Sequence, residues 1–250
     1  MNNNYYDSPI IESSVETKTS VAFAKSYLYM FIASALTLLS GLFFTKVLAN
    51  VLVTGNGATT ILILFIISFV AQLILCYKIN KNSLINANFA KAFIGLMLYG
   101  LMTGFTFSTL FIFFQVDILY QVFGVVSGYF LILSLITFIF RKVIHKARTF
   151  AYIGLLTLLL SSIGVSIYSM FALSGTTVMG LFLAISIIGI IVFTIITMVD
   201  IKHTYHLIEY SENKNAASVA AAFTLYLDFL NIFIYILRIL IILGKNVSRD

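Results

Sequence analysis

The sequence predicts an all-α integral membrane protein, a bundle of seven transmembrane helices with the seventh helix central. Three observations carry this. Hydrophobic residues make up 61% of the chain and charged residues 10%, where a soluble domain carries about 25% charge. The apolar residues fall into runs of about 20, the length a helix needs to cross about 30 Å of hydrocarbon, whereas the strands of a membrane barrel would be about 10 residues long with alternating polarity. The last run, LYLDFLNIFIYILRIL over 225–240, sets one carboxylate and one guanidinium inside an otherwise apolar stretch.

Seven runs can be counted, at 21–44, 59–77, 90–114, 118–140, 150–173, 178–199 and 216–243. Residues 1–20 are polar, contain the only proline and carry Asp7, Glu12 and Glu16 against Lys18. They read as a flexible cytoplasmic tail rather than a signal peptide, which would open with a basic region and a short apolar core. The runs then make up one transmembrane domain, 21–244, with a short C-terminal tail, 245–250. Connections are short, and no internal repeat points to an inverted-repeat transporter.

Basic residues sit in alternate connections. Lys78, Lys81 and Lys91 lie between the second and third runs, Arg141, Lys142, Lys146 and Arg148 between the fourth and fifth, and Lys202 and Lys214 between the sixth and seventh. Lysine and arginine stay on the cytoplasmic side, so these loops and the N-terminus are expected inside and the C-terminus outside. Lys245 and Arg249 argue mildly the other way. A net charge of +6 spread over short loops reads as topology, not as a nucleic-acid surface. The single cysteine, Cys76, excludes an intramolecular disulfide.

Packing signals are also present. Gly100 and Gly104, Gly124 and Gly128, and Ala217 and Ala221 have the small-xxx-small spacing that lets helix backbones approach. With no tryptophan, Tyr77, Tyr99, Tyr152 and Tyr168 are the expected interface anchors.

Seven of the nine acidic residues belong to tails or loops, which leaves Asp200 and Asp228 at membrane depth. Asp200 is expected to close the sixth helix, and Asp228 lies about 18 Å into the seventh. On the seventh helix Thr224, Asp228, Asn231, Tyr235 and Arg238 fall within an arc of roughly 80°. Charge facing lipid costs about 3 kcal/mol or more, so this stripe should face other helices or a wet cavity. Two buried carboxylates within hydrogen-bonding reach cannot both ionise without strong repulsion and would share one proton, a proton-responsive element that needs no histidine. The alternative is an Asp228 held protonated by a neighbour, or paired with a lysine for packing alone. Lys78, Lys81 and Arg238 are the candidate charge partners. Asp200, His203 and His206 recur every three residues but drift around a continuing helix, so they do not converge as metal ligands. No nucleophile triad, phosphate loop or zinc helix is present, and no enzymatic activity or cofactor is expected.

ALTLLSGLFF in the first run, VDIKH closing the sixth and above all LYLDFLNIFIYILRIL in the seventh resemble the Bax inhibitor-1 family of seven-helix membrane proteins. The resemblance covers the chain from about Ala22, and 225–231 reads very like the LYLDFIN of bacterial members. It implies that the aspartate closing the sixth helix and that of the seventh form a pH-sensitive pair, here Asp200 and Asp228, in proteins linked to a calcium leak. The chain departs from the pattern where Val199 and Ile201 flank the first aspartate in place of tyrosine and polar residues. It departs again where Gln72, Lys78 and Lys81 stand in for a glutamate and an arginine that some bacterial relatives carry.

The expected function is therefore a pH-regulated calcium leak gated by the aspartate pair. Asp200 and Asp228 are its candidate ion ligands, and Asn231, Thr224 and Tyr235 are the candidates for the ion path. Calcium takes oxygen ligands of this kind, but its identity as the permeant ion comes from the resemblance. Two other readings stay open: a modulator that binds membrane-protein partners such as a quality-control protease or cell-death regulators, and a proton-coupled transporter. The lipid bilayer, calcium and protons are the expected partners, and no nucleic acid is. A bacterial inner membrane is the expected location, with a eukaryotic endomembrane as the alternative. The topology has a direct check. Cysteines placed in 141–148 are expected to resist impermeant thiol reagents in intact cells, and labelling from outside would reverse the orientation.

Overall fold

The computed structural model describes residues 9–52, 57–111, 116–139, 147–171 and 175–247, which form seven α-helices and one short π-helical turn. The helices are α1 (Pro9–Leu52), α2 (Gly57–Asn80), α3 (Phe89–Phe111), α4 (Val116–Ile139), α5 (Ala147–Phe171), α6 (Gly175–Glu209) and α7 (Lys214–Val247); the π turn, Lys81–Ile85, follows α2. All seven helices are long and apolar enough to cross a membrane, and no strand occurs among the described residues.

Two boundaries differ from expectation in ways that matter. The helix α1 opens at Pro9, so residues 9–20 of the expected flexible tail are helical. Proline is compatible with a first helical turn, where its missing N–H would have no partner, and Thr19 is already buried by packing. At the other end of the chain, α6 does not stop at Asp200 but continues to Glu209. Its C-terminal carbonyls are closed by Lys214, whose Nζ donates to Ile208 O at 3.2 Å and Glu209 O at 2.8 Å. Asp200 is thus inside a helix rather than at its end. Residues 1–8, the basic stretch 141–146 and the expected span ends Phe114, Phe140 and Leu173 lie outside the described residues.

The chain forms two compact units that are not consecutive segments, because α6 and α7 contribute to both. The first takes in the described residues up to Val116 together with His203–Tyr226; the second takes in Asp117–Lys202 and the described residues from Leu227.

In the first unit α1 lies along α3 through two rows of small residues with matching steps of four. Ala33, Thr37, Gly41 and Thr45 meet Gly100, Gly104 and Ser108. A Cβ on Gly100 would stand 3.0 Å from Ala33 O, and one on Gly104 only 2.8 Å from Gly41 N. Hydroxyls bridge the same seam: Thr37 Oγ1 donates to Gly100 O at 3.0 Å, Ser40 Oγ to Leu101 O at 3.3 Å and Thr45 Oγ1 to Ser108 O at 3.0 Å. Tyr226 of α7 joins this seam, its hydroxyl 2.7 Å from Thr37 Oγ1. Tyr99, expected at the membrane interface, instead packs edge-on against Phe223 and Tyr226, with ring centroids at 5.0 and 6.0 Å.

The start of α7 is buried on all sides from Ala216 to Phe223, the small side chains allowing close approach all round. Ser83 of the π turn inserts there. Its hydroxyl donates to Ala216 O and accepts from Ala220 N at 3.1 Å, bridging a carbonyl and an amide that pair directly in an uninterrupted helix. Asn213 caps the same end, accepting from Ala216 N at 3.1 Å and donating to Ala87 O at 2.8 Å.

In the second unit α7 meets α4 and α6 through aromatic rings, and α6 meets α4 and α5 through a hydrogen bond and an aliphatic contact. Phe229 packs against Phe123 and Phe130 of α4, and Tyr129 shares a 2.5 Å hydrogen bond with Thr194 of α6. The side chain of Val192 fills the space beside Gly154 of α5. The α4 pair Gly124 and Gly128 is expected to pack closely, yet a Cβ added to either would meet no heavy atom within 4 Å, so their small size is not used for packing among the described residues.

Half of the apolar window of α7 is buried, against 11% of that of α2 and 6% of that of α5, and this identifies α7 as the most enclosed helix. The outward leucines and isoleucines of α2 and α5 suit a lipid surround, in which exposed apolar side chains carry no penalty. The α1–α3 seam yields a prediction. Gly104→Ala must push the two backbones apart and is expected to destabilise the fold by about 1–3 kcal/mol, whereas Gly124→Ala should leave thermal unfolding in detergent unchanged; equal effects would contradict the seam.

Candidate functional site

The site lies in the second unit, where α6 and α7 run antiparallel. Two contacts set their register. The ring of Tyr235 packs on Phe193 at 5.7 Å and against Gly189, where a Cβ would stand 2.7 Å from the ring. Seven residues on from Phe193 is Asp200, and seven back from Tyr235 is Asp228, so opposite helix directions bring both aspartates to one level. Gly189, Phe193 and Asp200 recur at helical spacing and share the face of α6 that meets α7.

Asp228 is 4% exposed, Asp200 is half-buried, and the charge of Asp200 acts on Asp228. The sequence leaves open whether the two approach; the structure brings them into electrostatic reach. Asp228 Oδ2 is buried and has no hydrogen-bond partner in the protein. A buried polar atom in that state costs stability and needs an explanation.

The remaining stripe of α7 divides. Asn231 Nδ2 donates to Leu227 O at 2.8 Å, so its amide oxygen is the end directed away from its own helix backbone. Thr224, which falls in the first unit, donates to Ala220 O at 3.2 Å. Tyr235 serves as a packing ring against Phe193 and Gly189.

Arg238, a candidate charge partner for the aspartates, holds its guanidinium instead over the rings of Phe182 and Tyr235, 5.5 and 5.7 Å from their centroids. Ten residues separate it from Asp228, about 15 Å along the axis, and cation–π contact takes the place of an ion pair. Its Nη1 is buried without a hydrogen-bond partner. Lys78 and Lys81 belong to the first unit; both are exposed, and the Lys81 ammonium lies 5.7 Å from the Tyr77 ring centroid. Gln72 bonds within the first unit to Thr106 at 2.8 Å and Ser68 at 3.2 Å.

The helix does continue through His203 and His206, and His206 Nδ1 pairs with Glu209 Oε2 at 3.0 Å. Among the described residues no three His, Cys, Asp or Glu side chains gather as metal ligands. Thr197 is a further polar residue of α6, not among the candidates named from the sequence. It is fully buried one helical step before Asp200, and its hydroxyl has no hydrogen-bond partner. The spacing of Thr194, Thr197 and Asp200 every three residues is the available signal.

A multi-pass helical membrane protein with two aspartates brought together between adjacent spans is the class that this fold and site define. Residues 19–245 match the family described as inhibitor of apoptosis-promoting Bax1, and the chain belongs to this Bax inhibitor-1 family. It is 30% identical over 220 residues to an uncharacterized protein of Borreliella burgdorferi, covering 84% of this chain and 90% of that protein. It is 29% identical over 148 residues to inner membrane protein YbhL of Escherichia coli, covering 57% of this chain and 60% of YbhL. It is also 31% identical over 145 residues to protein RP147 of Rickettsia prowazekii, covering 57% of this chain and 58% of that protein.

Proposed function

We propose that this protein is a pH-regulated cation leak in a bacterial inner membrane, with the Asp200–Asp228 pair as its gate and calcium as the permeant ion. The observation that supports it best is the pair itself: Asp228 is almost wholly buried with an unpartnered carboxyl oxygen, and Asp200 stands at its level within electrostatic reach. Burial and mutual repulsion make the proton occupancy of such a pair a property of both groups together. When the pair shares a proton its charge is low and the helices close around it; when both groups ionise, repulsion and the demand for hydration favour an opened, wetter arrangement. An ion then meets two carboxylates, and Asn231 adds a neutral oxygen on the same face of α7.

Calcium as that ion rests on the likeness of 225–231 to the bacterial family motif. The inner membrane is carried over from the name of the Escherichia coli relative, and the cytoplasmic N-terminus from the distribution of lysine and arginine. On this reading the protein forms no covalent intermediate and carries no cofactor.

The test is calcium flux into vesicles containing only the purified chain, followed from acidic to mildly alkaline pH. Asp228→Asn keeps the shape but removes the charge and the shareable proton, and it is expected to abolish most of the pH response. Asp200→Asn should do the same, and the double variant should lose no more than either single one, because residues acting as a unit are non-additive. Retention of the wild-type profile in both single variants would place the gate elsewhere. Vesicles tight at every pH would favour a protein that binds membrane partners.

A further inference from the structure

Thr197 is an unusual threonine for this protein. In an apolar helix a threonine hydroxyl ordinarily donates to the carbonyl four residues earlier, and the buried threonines Thr103 and Thr137 do so at 2.9 and 2.8 Å. Thr194, one helical step away on α6, does so at 2.6 Å. Thr197 is 0% exposed and has no hydrogen-bond partner at all. Its hydroxyl is therefore turned away from its own helix backbone without finding another group of the protein.

The register of α6 on α7 locates the place it faces. Gly189, Phe193 and Thr197 follow each other at steps of four, and the first two pack on Tyr235, so Thr197 belongs to the α6 face that meets α7. The two aspartates stand at one level, and three residues along each helix from that level lie Thr197 on α6 and Asn231 on α7. These two are thus level with each other, about 4.5 Å from the aspartates along the axis. Asn231 has its amide nitrogen engaged by Leu227 O, which leaves its oxygen free of that bond. Two negative groups are followed by two neutral oxygens, and two of the four side chains carry buried polar atoms without a partner.

We propose that Thr197 Oγ1 and Asn231 Oδ1 form a second, neutral oxygen station next to the Asp200–Asp228 pair, and that Thr197 is a ligand determining how tightly a dehydrated divalent cation is held between the helices. A hard cation with six to eight oxygen ligands gains from neutral oxygens placed beside its carboxylates. A station of neutral donors next to a charged one also lets an ion move on rather than bind irreversibly. This rests on the reading of the aspartate pair as a cation site.

The test compares Thr197→Val, which keeps the shape and removes the hydroxyl, with Thr197→Ser, which keeps the hydroxyl. Each full-length variant is assayed in vesicles for calcium flux and in detergent for thermal unfolding with and without calcium. Because the hydroxyl bonds to nothing in the protein, Thr197→Val is expected to unfold at or above the wild-type temperature. It should nevertheless raise the calcium concentration for half-maximal flux about tenfold, the cost of one lost oxygen contact in a desolvated site, and lose most of the stabilisation that calcium confers. Thr197→Ser should stay within about twofold of wild type. A Thr197→Val protein with unchanged flux and unchanged calcium stabilisation would overturn the proposal, as would one that is destabilised without calcium, which would make the hydroxyl structural. The two readings fail separately. Wild-type vesicles that do not leak while calcium stabilises wild type but not Thr197→Val would remove the leak and keep the site; a leaking wild type matched by Thr197→Val would remove the station and keep the leak. No leak and no calcium stabilisation in wild type would remove both.

Discussion

Everything in this protein is built around the absence of water as a competitor. Lipid offers helices no hydrophobic reason to associate and no hydrogen bonds for exposed polar groups, so contact must come from close backbone approach and internally satisfied donors. The seam between α1 and α3 meets both demands at once. Glycines at 41, 100 and 104 bring the backbones together, and the hydroxyls of Thr37, Ser40 and Thr45 bridge to carbonyls of α3. The same economy recurs at the alanine-rich start of α7, where Ser83 reaches into the helix ladder.

Against that background the second unit breaks its own rule in a confined region. Asp228 Oδ2 and Thr197 Oγ1 are buried without partners, while nearby hydroxyls such as those of Thr194 and Tyr129 are paired. Stability alone would select for replacing or satisfying such atoms, because each carries a desolvation cost. The third such atom, Arg238 Nη1, lies farther along α7 among aromatic rings, while Asp228 Oδ2 and Thr197 Oγ1 stand near one level of α6 and α7. The tight aromatic contact of Tyr235 with Phe193 and Gly189 holds the register that puts them there.

Arg238 shows how the same medium handles a cation. Its guanidinium rests on two aromatic faces, where ring quadrupoles partly replace water and an ion pair with Asp228 would need a reach of about 15 Å. A stripe that looks uniform on a helical wheel therefore holds two separate environments, one acidic and one aromatic.

The seven spans and the exceptional position of Asp228 were determined by the sequence itself, because span length, hydropathy and the 3.6-residue period are local properties of the chain. The family motif in 225–231 was legible for the same reason. Tertiary structure alone decided which small residues are used: Gly100 and Gly104 meet α1, while Gly124 and Gly128 have no close neighbour among the described residues, although their spacing is identical. It also decided that α6 continues past Asp200, since Lys214 closes carbonyls several residues later. Thr197 is marked in the sequence by nothing beyond its three-residue spacing from Thr194 and Asp200, because a threonine in an apolar helix normally bonds to its own backbone. Only the packing of α6 on α7 reveals that this one does not, and the reason is physical: partnership between helices depends on register, which no single helix encodes.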